Sequence, residues 1–238
     1  MRFLCLPGTF GTLIDELEKS GLASFYFTQG SFPSTPPPGF ETYFGPPPHF
    51  RFMNFGEETV SALRSLSKIC TREQAIQWLG TQVNSHEGLL SAKHAVADVL
   101  DEIDRLGIQG LIGYSEGAGI AASVLQEEQR RQAESGRIPR IKCAVFIGGW
   151  PPIDIRKTHY VFPTGDEDED WITVPTCHVI GAEDVFLDGS KMLYEVCNAD
   201  NSELFDHGGG HVIPRDPRTL NELVNVICNM IELSLKDS

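Results

Sequence analysis

The sequence predicts one α/β domain, a mostly parallel central sheet flanked by helices on both faces. Three observations carry this. Short β-rich runs alternate with longer helical ones along the chain. An apolar run at 108–113 turns through a Gly-x-Ser-x-Gly pentapeptide directly into a helix start of small residues. The 238 residues, 41% of them hydrophobic, suffice for one sizeable core and show no repeat or second domain.

The elements follow in order. Residues 2–6 read as a first buried strand, 12–20 as a short helix stopped by Gly21, and 24–28 as a second strand. Residues 30–56 break the rhythm. Pro33, Pro36, Pro37, Pro38, Pro46, Pro47 and Pro48 argue against regular structure there. The interleaved Phe32, Phe40, Tyr43, Phe44, Phe50, Phe52 and Phe55 argue against disorder, so the segment reads as an ordered loop over something apolar. Residues 57–79 are moderately helical. Residues 87–106 form a strong helix, with Leu89, Ala92, Val96, Val99, Leu100, Ile103 and Leu106 on a 3.6-residue period and Gly107 past its end. A strand at 108–113, a helix at 117–133 and a strand at 141–147 come next. Residues 164–170 make a polar acidic loop, which includes the solvated run Asp166, Glu167, Asp168, Glu169 and Asp170. A strand at 175–180, a helix at 189–197 and a short strand at 203–205 complete the alternation. The last helix has Asp216 as N-cap, Pro217 at its first position, and Leu220, Leu223, Ile227, Met230 and Ile231 facing inward.

Charge and composition exclude some partners. A net charge of −14 repels a polyanion, which argues against nucleic acid. No apolar run is long enough for a membrane span, and the short apolar N-terminus is shaped like a strand rather than a signal peptide. The expectation is an intracellular, cytoplasmic protein. The six cysteines lack CxxC spacing, and Cys5, Cys143 and Cys177 sit in strand-like runs, so they read as buried reduced thiols. No metal or other cofactor is expected.

The pentapeptide Gly113-Tyr114-Ser115-Glu116-Gly117 places a serine on a sharp strand-to-helix turn. Glycines two residues to either side remove the Cβ clashes that such a turn creates. The helix N-terminus beneath offers unpaired N–H groups to a developing oxyanion. A serine hydroxyl near neutral pH needs an adjacent base. Of the seven histidines, His211 follows a run of glycines, Gly208 to Gly210, that lets the chain fold it back to the sheet edge. His207 reads as a turn-shaping residue and His178 as a core-strand residue. Asp184, just past the strand at 175–180, is the candidate acid, with Glu183 and Asp188 as competitors. The backbone N–H groups of Thr9 and Glu116 are the candidate oxyanion donors, Gly8 allowing close approach. Trp150, after Gly148-Gly149, and Phe10 are the expected pocket residues, and the pocket is expected to be apolar.

These residues resemble the fungal family of serine hydrolases, a compact α/β-hydrolase group. The resemblance spans nearly the whole chain. It rests on Leu6-Pro7-Gly8, on Gly113 to Ala118, on Gly181-Ala182-Glu183-Asp184, and on His207 to Pro214, which is similar to the family's H-x-G-G-H-x-x-P. It implies the α/β-hydrolase fold and hydrolysis of a carboxylic ester or thioester. The substrate would be a small apolar acyl ester or a carrier-protein-bound acyl thioester, as in fungal polyketide metabolism. Two departures stand out. The segment between the first turn and the second strand is short, which implies a missing cap element. Glu116 stands where glutamine is usual, and a carboxylate there would raise the pKa of a nearby histidine. Arg130, Arg131, Arg137 and Arg140, beyond the nucleophile helix, form a candidate basic patch for an acidic carrier protein.

Two other function classes compete. A non-hydrolytic ligand-binding or cyclising protein on the same fold would bind ligand without forming an acyl-enzyme. A peptidase is the weaker alternative, because no charged specificity pocket is evident.

Overall fold

The computed structural model describes residues 1–6, 10–36, 41–54, 86–156, 159–160 and 172–236. The strands β1 (Arg2–Leu6), β2 (Ser24–Phe27), β5 (Gly110–Tyr114), β6 (Cys143–Ile147), β9 (Thr176–Ile180) and β10 (Ser202–Asp206) form one sheet. Its order is β10-β9-β6-β5-β1-β2, and every neighbouring pair is parallel. The central strands β5, β6 and β9 are buried along their whole length, the signature of a sheet covered on both faces.

Alternate residues of each strand feed opposite layers. In β1, Leu4 and Leu6 join one core cluster, and Phe3 and Cys5 join the other. The first layer holds α3 (His86–Leu106), α4 (Glu116–Ser135) and α5 (Leu187–Glu195). The second holds α1 (Gly11–Lys19) and α6 (Pro217–Lys236). Each fully buried Leu or Ile in these layers contributes about 1.5–3 kcal/mol.

The strongest sequence signals become the longest flanking helices. Leu89, Ala92, Val96, Val99, Leu100 and Ile103 form the buried stripe of α3, and Gly107 closes it at φ +63°. In α6, Asp216 Oδ1 accepts the N–H of Thr219 at 2.9 Å, and Leu220, Leu223, Ile227, Met230 and Ile231 face the sheet. Cys5, Cys143 and Cys177 are buried in β1, β6 and β9, and burial pushes the thiols of Cys143 and Cys177 up to about 12.

One expectation needs correction. The segment 30–56 is not wholly irregular: β3 (Phe32–Ser34) and β4 (His49–Arg51) pair as an antiparallel ribbon, and α2 (Glu41–Phe44) adds a single turn. Pro33 is tolerated because a two-stranded ribbon consists of edges, where a missing N–H breaks no central ladder. The segment does cover apolar groups. Tyr43 and Phe44 lie against the ring of Tyr114, and Phe52 and Met53 are buried in the first core layer. A smaller ribbon, β7 (Ile153–Asp154) with β8 (His159–Tyr160), lies beyond β6. The helical expectation at 57–79 and the acidic loop at 164–170 lie outside the described residues.

The chain steps from β1 outward to β2 on one side, and from β5 outward through β6, β9 and β10 on the other. The helix after β1 packs on one face and the helix after β5 on the other. The C-terminal ends of β1 and β5 therefore flank a topological switch point, where diverging loops leave a crevice.

Candidate active site

Ser115 follows β5 at that crevice. Its backbone stands at φ 55°, ψ −117°, and it is the one non-glycine residue with positive φ among the described residues. Such a conformation costs on the order of 1–3 kcal/mol and persists where its surroundings enforce it. The two glycines of the pentapeptide show how. A Cβ on Gly113 would lie 2.5 Å from the Cα of Ala118, and one on Gly117 would lie 3.0 Å from the backbone of Leu6 in β1. The serine thus sits at the N-cap of α4, against the unpaired first-turn N–H groups.

Two further loops converge on it. After β9, Gly181 to Asp184 turn back, and Asp184 Oδ1 accepts the N–H of Phe186 at 2.8 Å. After β10, residues 207–213 cross above. Asp206 Oδ1 accepts the N–H groups of Ala182 and Gly208, and Glu183 N–H donates to the carbonyl of Gly209 at 2.9 Å. A Cβ on Gly181 would fall 2.1 Å from that carbonyl oxygen, so glycine is required for the two loops to meet.

The result is a continuous hydrogen-bonded run. His211 Nδ1 lies 2.8 Å from Asp184 Oδ2, and His211 Nε2 lies 2.9 Å from Ser115 Oγ. With the Nδ1 proton facing the carboxylate, Nε2 is left to accept the serine hydroxyl proton. The Asp184 side chain is 2% exposed and that of His211 13%, so the carboxylate is sealed while the imidazole keeps an open edge. Tyr114 fixes the histidine from below, its hydroxyl donating to the His211 carbonyl at 2.8 Å. Tyr43 of α2 accepts the N–H of Ile213 at 2.7 Å. His207 shapes the turn, its Nδ1 accepting the N–H of Gly209, and burial lowers its pKa.

The structure differs from several expectations. Phe10 does not line the crevice. At 2% exposure it packs with Leu13, Ile14 and Leu17 in the second core layer, because it is the residue from which α1 starts. Thr9 lies outside the described residues. Trp150 is half-buried, with its ring 5.7 Å from that of Phe186, which in turn stands edge-on to His211 at 5.1 Å. The Glu116 carboxylate is not held against the histidine; it accepts the N–H groups of Phe52 and Met53. The arginine cluster is not a free basic patch. Arg130 pairs with Asp154, Arg131 with Glu127, and Arg137 and Arg140 with Asp104, so nearby carboxylates neutralise it.

Sequence reasoning missed Phe186, Tyr114 and Gly148. A Cβ on Gly148, whose φ is +57°, would lie 2.7 Å from His211 Cε1 and 3.3 Å from Asp184 Oδ2. The glycine pair at the end of β6 was the available signal, since glycine at a strand end marks close approach of another group. Among the described residues no group of His, Cys, Asp and Glu could hold a metal ion, and no helix is long and apolar enough to cross a membrane.

The family model described as Serine hydrolase (FSH1) matches residues 10–223. The chain belongs to that serine hydrolase family. It is 27% identical to "Hydrolase phiM" of Talaromyces stipitatus over 94% of this chain and 85% of the relative. It is 25% identical to "Esterase FPY3" of Fusarium mangiferae over 95% of each. It is 28% identical to the "Dihydromonacolin L-[lovastatin nonaketide synthase] thioesterase" of Aspergillus terreus over 56% of each. Among solved structures, acyl-protein thioesterase 2 of Zea mays superposes with a TM-score of 0.53 at 16% identity, covering 97% of this chain and 93% of that one. This serine hydrolase thus has the α/β-hydrolase fold.

Proposed function

We propose that this serine hydrolase cleaves a carboxylic ester or acyl thioester through an acyl-enzyme formed on Ser115. The observation that carries the reading is the unbroken run from Ser115 Oγ through His211 to Asp184, at 2.9 and 2.8 Å. His211 Nε2 takes the hydroxyl proton as Ser115 attacks the substrate carbonyl. Asp184 accepts the Nδ1 hydrogen bond and stabilises the imidazolium. The tetrahedral oxyanion is held by the N–H of Glu116 at the start of α4; one such donor is worth on the order of 10²–10³ in kcat. Collapse expels the alcohol or thiol, which takes the proton from His211. Water, activated by the same imidazole, then releases the acid and restores Ser115.

The Phe186 ring stands edge-on to His211 and packs against Trp150, and an apolar acyl group would suit this aromatic pair. The names of the fungal esterase and thioesterase relatives support the same chemistry and suggest a polyketide-type acyl chain. The test is intact-protein mass spectrometry after fluorophosphonate treatment, beside hydrolysis of p-nitrophenyl esters and N-acetylcysteamine thioesters of graded chain length. Wild type is expected to gain one adduct, and Ser115→Ala and His211→Ala none. An unlabelled wild type rejects the reading.

A further inference from the structure

The nucleophile turn carries one side chain that the chemistry above does not use. Glu116 Oε2 accepts the N–H of Phe52, and Oε1 accepts the N–H of Met53, both at 2.9 Å. The next amide, Asn54 N–H, donates to Ser91 Oγ at 2.8 Å, and that hydroxyl donates to the carbonyl of Gly88 in α3 at 2.6 Å. Three consecutive backbone donors therefore end on side chains of α4 and α3 rather than on a strand ladder. The side chains of Phe52 and Met53 are buried in the first core layer, together with Leu4 and Leu6 of β1. On the other side Gly30 lets the backbone cross, since a Cβ there would fall 1.8 Å from the carbonyl oxygen of Arg51. Residues 52–54 thus form a strap bonded to the first residue of the nucleophile helix.

We propose that Glu116 is a positioning residue: its carboxylate pins this strap to the start of α4, and the strap in turn fixes the Ser115–Glu116 peptide whose N–H faces the oxyanion. This rests on the hydrolase reading above. The geometry calls for a carboxylate. Two adjacent N–H donors need two acceptors, and only an ionised carboxyl offers a full acceptor at each oxygen. In Glu116→Gln the amide keeps one acceptor and turns a donor against the other N–H. The arrangement is held against a solvation cost: burial pushes the Glu116 carboxyl up to about 7, with the two peptide N–H groups and Arg51 of β4 pulling it back down.

The test uses the whole chain with p-nitrophenyl butyrate and amide hydrogen exchange read at residues 52–54. Glu116→Gln is expected to speed exchange at Phe52 or Met53 about ten-fold and to lower kcat about ten-fold, with KM changed by less than about two-fold, since a lost buried hydrogen bond is worth about one decade. Ser91→Ala releases the strap at Asn54 and leaves Glu116 in place. It is expected to lower kcat in the same direction by a smaller factor, and it carries the test if Glu116→Gln does not fold. Loosened exchange with kcat intact overturns the proposal, and so does a lost kcat with exchange unchanged. A wild type that fluorophosphonate does not label fails the hydrolase reading itself. A labelled wild type whose Glu116→Gln variant behaves identically fails this inference alone.

Discussion

Gly148 and His211 are in a relationship that admits no side chain between them. A Cβ at Gly148 would stand 2.7 Å from Cε1 and 2.8 Å from Nδ1 of the imidazole. Gly148 N–H also donates to the carbonyl of Val179 in β9 at 3.0 Å, so its backbone is held and cannot retreat. Gly148→Ala must displace the imidazole from Asp184, and the φ of +57° adds backbone strain of about 1–2 kcal/mol. We expect kcat/KM to fall by about 10² or more, because ångström-scale misplacement of a catalytic group costs that much. Fluorophosphonate labelling should slow in parallel while melting temperature falls by only a few degrees. A fully active alanine variant would show that the loop of His211 can yield.

Asp184 makes the second prediction. Its Oδ2 faces His211 Nδ1 and its Oδ1 holds the N–H of Phe186, so the two oxygens have different duties. Asp184→Asn can keep the Phe186 bond through its remaining oxygen, and it then presents an amide donor to the imidazole. That favours the wrong tautomer, with the Nε2 proton aimed at Ser115. We expect kcat to fall on the order of 10³–10⁴ with KM nearly unchanged. A loss of less than ten-fold would point to Glu183 or Asp188 as the working carboxylate.

Local chemistry made α3, α6 and the serine turn readable in the sequence. The period of Leu89 to Ile103, the Asp216-Pro217 cap and the glycines around Ser115 each act within a few residues. Asp184 and His211 were readable because each follows a strand end in a chain order that the fold imposes. The rest depends on distant partners. Nothing adjacent to Arg137 or Arg140, in the loop after α4, announces that both meet Asp104 of α3. Phe10 looks the same in sequence whether it faces a crevice or starts α1 inside the core. The β3–β4 ribbon was hidden by its prolines, because the rule that excludes proline from sheets concerns central strands.

Glu116 supplies a prediction about stability. Burial raises its folded-state pKa to about 7 from an ordinary 4.5. Between those values the native chain binds more protons than the unfolded one, so this group's contribution falls as pH rises through the window. The full difference is on the order of 3 kcal/mol. Comparing wild type with Glu116→Gln cancels the other titrating groups. Wild type should gain stability relative to the variant on going from pH 8 to pH 5, by urea denaturation at each pH. A pH-independent gap would mean that water reaches the carboxylate.

His178 carries the opposite sign in an overlapping window. It is fully enclosed in β9, with the rings of Phe146 and Tyr194 at 5.2 and 5.1 Å and its Nε2 3.0 Å from Thr176 Oγ1. Burial pushes its pKa down to about 3 from 6.5, so the native state keeps it neutral. Between pH 6.5 and 3 the unfolded chain binds the extra proton, and stability is lost as pH falls through that range. At pH 4 the loss is on the order of 3 kcal/mol. His178→Gln should be less stable than wild type at pH 7.5, because packing against the two rings is lost. Its stability deficit should then shrink on acidification, since glutamine takes up no proton. Urea midpoints for both proteins at pH 7.5, 5.5 and 4.5 decide it. A deficit that stays constant would mean that the imidazole protonates in place, with Thr176 and Ser202 rearranged around it.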